Sequence, residues 1–209
     1  MSAARVVVGV TGASGAPIAV RILELLAHTR QVETHLVVSQ AARRTLTHEA
    51  GDTAPERAAR LADVNHAPDD IGAAIASGSL PTAGMIVAPC SMRTLGAIAH
   101  GIADNLIVRA ADVHLKERRR LVLVTRETPL HLGHLRNMCA VTEMGAIVMP
   151  PVPAFYHRPQ SVEELVDQIA ARAIDQLGLP FGPLARAWQP QLTAQAAKPE
   201  EPQGAAGSA

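Results

Sequence analysis

The stretch Gly9-Val10-Thr11-Gly12-Ala13-Ser14-Gly15-Ala16-Pro17 (GVTGASGAP) decides how this chain is read. It follows the apolar run Val6-Val7-Val8 and leads into Ile18, Ile22, Leu25 and Leu26, which recur at the spacing of one helix face. The pattern is a buried strand, a turn of small residues, and a helix. Free N–H groups and the dipole at such a helix start favour an anion. Gly9, Gly12 and Gly15 give G-x-x-G-x-x-G, which is neither the dinucleotide fingerprint nor the Walker loop. A dinucleotide site also calls for an acid at the end of the second strand, where this chain has Ser39. A nicotinamide cofactor is therefore disfavoured. Two readings stay open for the loop by itself: an anion site with Ser14 reaching the ligand, or a tight turn with Ser14 as an ordinary helix cap.

Outward from this loop the same alternation continues. Strands are expected at 32–39, 84–89, 121–125 and 146–149. Helices are expected at 16–28, 41–49, 91–100, 104–117, 131–143 and 161–177, the last ending at Gly178. Residues 51–82 mix Asp, Pro, Gly and Ser and read as loop with short elements. Alternating β and α with continuous apolar strands implies an α/β fold, a three-layer Rossmann-like arrangement with a mostly parallel sheet. Ligands of such sheets sit beyond the carboxyl ends of the strands. GASGA, SQAARR, CSMRT, RETP and PPVPAFYHRP all follow strands. Residues 1–188 read as a single domain. The Ala-, Pro- and Gln-rich stretch 189–209 has little apolar content and is expected to be disordered.

Composition narrows the classes. Formal net charge is zero over 209 residues, which gives no reason to expect a nucleic-acid backbone or an anionic membrane as partner. No apolar run is long enough to span a bilayer. Hydrophobic residues make up 48% and aromatics only 2%, so the core must be aliphatic. Two isolated cysteines, Cys90 and Cys139, fit a reducing cytosol, and no zinc spacing is present.

Four stretches carry chemistry. In APCSMRTLGAI, Ser91 and Thr94 can donate hydrogen bonds and Arg93 can pair with a phosphate, while Ser91 also suits an N-cap. In NLIVRAADVHLKERRR, Arg109 and Lys116 are seven apart on one helix face, where two cations can clamp a phosphate; the plainer reading is an Asp112–Lys116 pair on a solvated face. In LVLVTRETPL, Arg126 and Glu127 offer an anion ligand and a proton-handling carboxylate, or merely pair with each other. In PPVPAFYHRPQS, prolines stiffen a loop that presents Phe155 and Tyr156, the only tyrosine, before a capping box of Ser161 and Glu164.

Taken together, TGASGA, SGS followed by MIVAPCSMRTL, ADNLIVRAADVHLKERRRLVLVTRETPL, HLRNM and PPVPAFYHRPQS resemble the UbiX family, the flavin prenyltransferases, from about Val6 to Trp188. The resemblance implies a flavodoxin-like fold, reduced FMN as substrate and dimethylallyl phosphate as co-substrate. It implies joining of the dimethylallyl group to N5 and C6 of the flavin without a metal. It implies delivery of prenylated FMN to a UbiD-type decarboxylase, often in ubiquinone synthesis, and a cytoplasmic homododecamer with sites near subunit junctions.

Carried over by position, the resemblance gives Gly12, Ala13, Ser14, Ser39, Ser91, Met92, Arg93, Thr94 and Arg126 to FMN. It gives Arg109, Lys116, Tyr156 and Arg172 to the donor phosphate, Glu127 to catalysis, and Ser14 to a proton relay. The chain departs from the common family pattern at Pro17-Ile18-Ala19, where some members have Tyr-Gly, and at Ile71, where some have tryptophan. Two rival functions share the architecture: a direct FMN-dependent decarboxylase of the cysteine-decarboxylase group, and a non-catalytic FMN carrier. The full phosphate set disfavours the first, and Glu127 beside Arg126 disfavours the second.

Overall fold

The computed structural model describes residues 3–188; the expected tail at 189–209 lies outside them. The elements run β1 (Ala4–Val10), α1 (Ala16–Thr29), β2 (Val32–Val38), α2 (Gln40–Ala50), α3 (Ala54–Leu61), β3 (Val64–His66), β4 (Gly84–Cys90), α4 (Met92–Ala99), α5 (Leu106–Lys116), β5 (Arg120–Thr125), α6 (Leu132–Glu143), β6 (Ile147–Val148) and α7 (Val162–Asp175). The 51–82 stretch, read as loop with short elements, holds α3 and the edge strand β3.

The six strands form one sheet in the order β3-β2-β1-β4-β5-β6, parallel at every pairing. This is the doubly wound order, and without the three-residue edge strand β3 it reduces to the flavodoxin order. The pleat explains how Val-rich strands serve two cores at once. Val6, Val8 and Val10 face α1, α2, α3 and α7, whereas Val7, Met85, Val87, Leu121 and Leu123 face α4, α5 and α6. β4 is buried along its whole length. At Gly9 the helix α5 comes so close that an added Cβ would lie 3.0 Å from Ile107 Cγ2. Chain direction across the sheet reverses between β1 and β4, and that switch opens a crevice at the carboxyl ends of the strands.

Every helix after a strand returns antiparallel to it. The first turns of α1, α2, α4, α6 and α7 therefore lie at the carboxyl edge of the sheet. The last turns of α5 and α7 lie at the opposite edge, where Leu177 meets Gly84 at the start of β4. This topology decides which candidate residues one chain can bring together.

Candidate active site

Four strand-end loops are stitched side by side at the switch. Thr11, buried at the end of β1, donates through Oγ1 to the Pro89 carbonyl at 2.7 Å and accepts from the Ser91 N–H at 2.9 Å. The Ser39 N–H donates to Val10 O at 3.0 Å, and Ser39 Oγ caps α2 by accepting from the Ala42 N–H at 3.1 Å. Gly12 lies so near α2 that a Cβ there would sit 2.5 Å from Ala41 Cβ. Ser91 caps α4, accepting from Thr94 N–H at 3.3 Å and donating to Thr94 Oγ1 at 3.2 Å. The Arg126 N–H donates to Cys90 O at 3.1 Å, which fixes the β5 loop beside the β4 loop. The four carboxyl ends of β2, β1, β4 and β5 thus line up over about 14 Å, three strand spacings.

The start of α1 closes one of the two readings left open for the loop. Ser14 does not cap this helix; Gly15 does, at φ +118°, a backbone conformation in which an L side chain is strained. The anion that the helix start attracts is the chain's own Glu49, on the last turn of α2. Its Oε2 accepts from the Gly15 and Ala16 N–H groups at 2.8 Å each. Burial pushes the Glu49 carboxyl up. The Ser14 hydroxyl, these two N–H groups and the charge of Arg126 outweigh that and hold it below the usual carboxylate range. Glu49 stays ionised at neutral pH with a serine hydroxyl against it, an arrangement that can accept a proton through Ser14. Sequence spacing missed Glu49, because its partners are 34 and 33 residues away.

Among the described residues, neither alternative ion pair read in sequence forms, and Arg93 has a partner that spacing did not suggest. Arg93 pairs with Asp104. Glu127 makes no pair with Arg126; its Oε1 accepts from the Thr128 N–H at 3.1 Å. Asp112 pairs with Arg109 at 2.6 Å, and Lys116 pairs with Glu117 instead of Asp112. Half of the expected capping box forms at α7: Ser161 Oγ accepts from the Glu164 N–H at 3.2 Å. Glu164 reaches back one residue further than the motif requires, to the Gln160 N–H at 2.9 Å. Cys90 is fully buried and burial pushes its thiol up to about 12, which removes it as a nucleophile.

A single chain does not gather the whole candidate set. Gly12, Ala13, Ser14, Ser39, Ser91 to Thr94, Arg126 and Glu127 share the carboxyl edge. Tyr156 is near that edge, exposed and tilted against His157 with ring centroids 4.3 Å apart. Lys116 ends α5 just before β5 begins, so a strand length of about 20 Å separates it from Glu127. Arg172 lies about 15 Å down α7 from its start, near Gln176, whose amide oxygen can accept from both guanidinium nitrogens at 3.1 and 3.2 Å. A cavity of about 920 Å³ opens beside Glu49, lined among others by Pro17, Arg57, His157, Val162 and Arg186. The departures at Pro17 and Ile71 fall on the first turn of α1 and on an exposed position, respectively.

The residues at the carboxyl edge fit a flavin mononucleotide. Hydroxyls and N–H groups follow successive strand ends, Arg126 adds a cation, and the Thr125 hydroxyl is buried there with no partner among the described residues. No group of three or more metal-ligating side chains occurs among the described residues, and no helix there is long and apolar enough to cross a membrane.

A family model described as Flavoprotein matches residues 1–174. The flavin prenyltransferase UbiX of Salmonella typhimurium is 55% identical over 177 residues, covering 85% of this chain and 93% of its own. A probable UbiX-like flavin prenyltransferase of Bacillus subtilis is 55% identical over 184 residues, covering 88% and 89%. Among solved structures, AnUbiX (PadA1) in complex with FMN and dimethylallyl pyrophosphate superposes with a TM-score of 0.84 at 49% identity, covering 90% of this chain and 99% of that one. A dodecameric FMN-dependent UbiX-like decarboxylase from Escherichia coli O157:H7 gives 0.85 at 50% identity, covering 89% and 100%. The cysteine decarboxylase TvaF, at 14% identity and a TM-score of 0.62, shares the fold alone.

Proposed function

The chain belongs to the UbiX flavin prenyltransferases, within the Flavoprotein family, and from that premise we propose that it transfers a dimethylallyl group from dimethylallyl phosphate to N5 and C6 of reduced FMN. The observation that carries the reading is the line of strand ends at the switch point, from Ser39 to Glu127, with ionised Glu49 behind Ser14. Gly12, Ala13, Ser14, Ser39, Ser91, Met92, Arg93, Thr94 and Arg126 hold the FMN. The flavin supplies the nucleophilic N5 and C6 positions; the chain supplies orientation, charge and proton handling.

Arg109, Lys116, Tyr156 and Arg172 bind the donor phosphate and neutralise the charge that grows on its bridging oxygen as the allylic bond breaks. Ser14 and Glu49 accept the proton lost at N5. Glu127 assists the proton transfer to the departing phosphate that accompanies ring closure. Holding both reactants in one enclosed site supplies much of the remaining rate through proximity.

Because Lys116 and Glu127 lie at opposite edges of one chain, a complete site draws them from different copies. A homo-oligomer follows, and the dodecameric state of a relative at 50% identity supports twelve copies. The product serves a UbiD-type decarboxylase, and the protein works in the cytoplasm. The test is anaerobic incubation of purified protein with reduced FMN and dimethylallyl phosphate, followed by mass measurement of the extracted flavin. A gain of one dimethylallyl unit supports the reading; bound but unchanged flavin overturns it.

A further inference from the structure

Each of the two α5 cations assigned to the donor phosphate is already held by an acid. Arg109 Nη1 donates to Asp112 at 2.6 Å, and Lys116 Nζ donates to Glu117. The second pair lies over the backbone of residues 78–82. An added Cβ at Gly78 would meet the mobile ends of both side chains, Glu117 Oε1 and Lys116 Nζ. Arg119 fastens the same backbone, donating to Gly78 O at 2.6 Å, Leu80 O at 2.7 Å and Thr82 Oγ1 at 3.1 Å. Thr82 is tied in turn to His114 Nε2 at 2.9 Å, on α5 itself. The Lys116–Glu117 pair therefore rests on a braced platform.

A carboxylate offers the same acceptor geometry as a phosphate but carries one charge, where a phosphate monoester carries nearly two at neutral pH. Lys116 holds the Glu117 carboxyl below the usual carboxylate range, so Glu117 is ionised whenever the donor arrives. Both pairs are partly exposed and so exchange with an incoming anion without a large desolvation cost.

We infer that Asp112 and Glu117 are resident stand-ins for the donor phosphate: they position Arg109 and Lys116 before the donor binds, compete with it for the same N–H groups, and take the cations back as inorganic phosphate leaves. This rests on the proposed prenyl transfer and makes the two acids positioning residues. Their presence trades donor affinity for a site that is oriented in advance and clears its second product.

The stand-in role and a purely structural role predict opposite signs. If the acids only supported α5, removing one would loosen its cation and weaken phosphate binding. If they compete, removing one strengthens it. The experiment is calorimetric titration of inorganic phosphate into the FMN-loaded wild type, Asp112→Asn and Glu117→Gln, with KM for dimethylallyl phosphate measured alongside. Phosphate should bind about two- to five-fold tighter to each variant, the range expected for freeing a partly exposed cation. KM should fall in step, and kcat should hold or drop as release slows. The conservative variants Asp112→Glu and Glu117→Asp should keep wild-type phosphate affinity. Phosphate binding that is unchanged, weaker or undetectable in all forms overturns the inference. Flavin prenylation by the wild type is scored separately: its failure removes the proposed activity while leaving the sign of the affinity change to decide the role of the acids.

Discussion

The Glu49 carboxylate accepts the Gly15 N–H at 2.8 Å and so fills the helix start that a phosphate would otherwise attract. The opening loop thus presents the Ser14 hydroxyl beside a helix start already occupied by an internal carboxylate. The Glu49 carboxyl is held low in the fold, so its contribution to stability is present above the unfolded carboxylate value and is lost as pH falls through the folded one. Glu49→Gln should lower stability near neutral pH by about 0.3–1 kcal/mol, the worth of a charge at a helix start. Thermal melts of both forms should converge as the pH drops through the acid range, and a gap that persists there counts against the assignment.

Gly12 and Ala41 are the tightest point between the first two loops, with 2.5 Å between a hypothetical Gly12 Cβ and Ala41 Cβ. Gly12→Ala should cost about 1–3 kcal/mol by overpacking and weaken FMN binding as α2 is pushed off the loop. Adding Ala41→Gly should recover most of both losses. Failure of the second substitution to rescue, measured by denaturant melts and flavin fluorescence titration, removes the steric account.

The edge strand β3 is joined to β2 by a histidine pair. His35 Nδ1 and His66 Nε2 are 2.9 Å apart, and His35 Nε2 lies 2.9 Å from Glu33 Oε1, which also accepts from Arg5. Burial first, and His35 second, hold the His66 imidazole below its ordinary value, against an opposing pull from Asp70. The stability it contributes is complete above the unfolded histidine value and declines as pH falls through the folded one. His66→Asn should flatten the melting temperature between about pH 7 and 5 relative to the wild type. Parallel curves would show that the pair has no such effect.

Glu127 lies on the β5 loop, and among the described residues its carboxylate is held only by the neighbouring Thr128 N–H. Glu127→Gln should leave FMN affinity intact and slow prenylation by about 10²–10⁴, the usual worth of a general acid or base. Single-turnover assays with pre-bound FMN separate the two effects, and undiminished turnover removes the proposed role.

Much of the fold was legible because its strands are continuous Val-, Leu- and Ile-rich runs that end in small polar turns. Val6–Val10 and GMIVAP need no partner to be read as buried strands. The carboxyl-edge loops were legible for the same reason, since each follows a strand directly. Glu49 was not, because nothing local distinguishes it from any other acid on the last turn of a surface helix; only the folding of α2 beside α1 gives it Gly15 and Ala16. Thr11 was missed for the same cause: its partners, Pro89 and Ser91, come from another strand. The ion pairs of α5 went astray because spacing permits Asp112 with either Arg109 or Lys116, and the nearest acid to Lys116 is its sequence neighbour. The placement of Lys116 far from Glu127 was implicit in the strand–helix order, since a helix returning to its next strand must end at the far edge.

That separation makes the shared site the central claim, and mixing of inactive copies tests it most directly. Lys116→Ala and Glu127→Gln proteins are each to be purified, assayed for prenylated FMN, then dissociated and reassembled together in equal amounts. With Lys116 and Glu127 drawn from different copies, about a quarter of the mixed sites hold both intact residues, and activity should return to about that fraction of the wild type. Mixed assemblies no more active than the parents would mean that both residues act within one chain, contradicting the account.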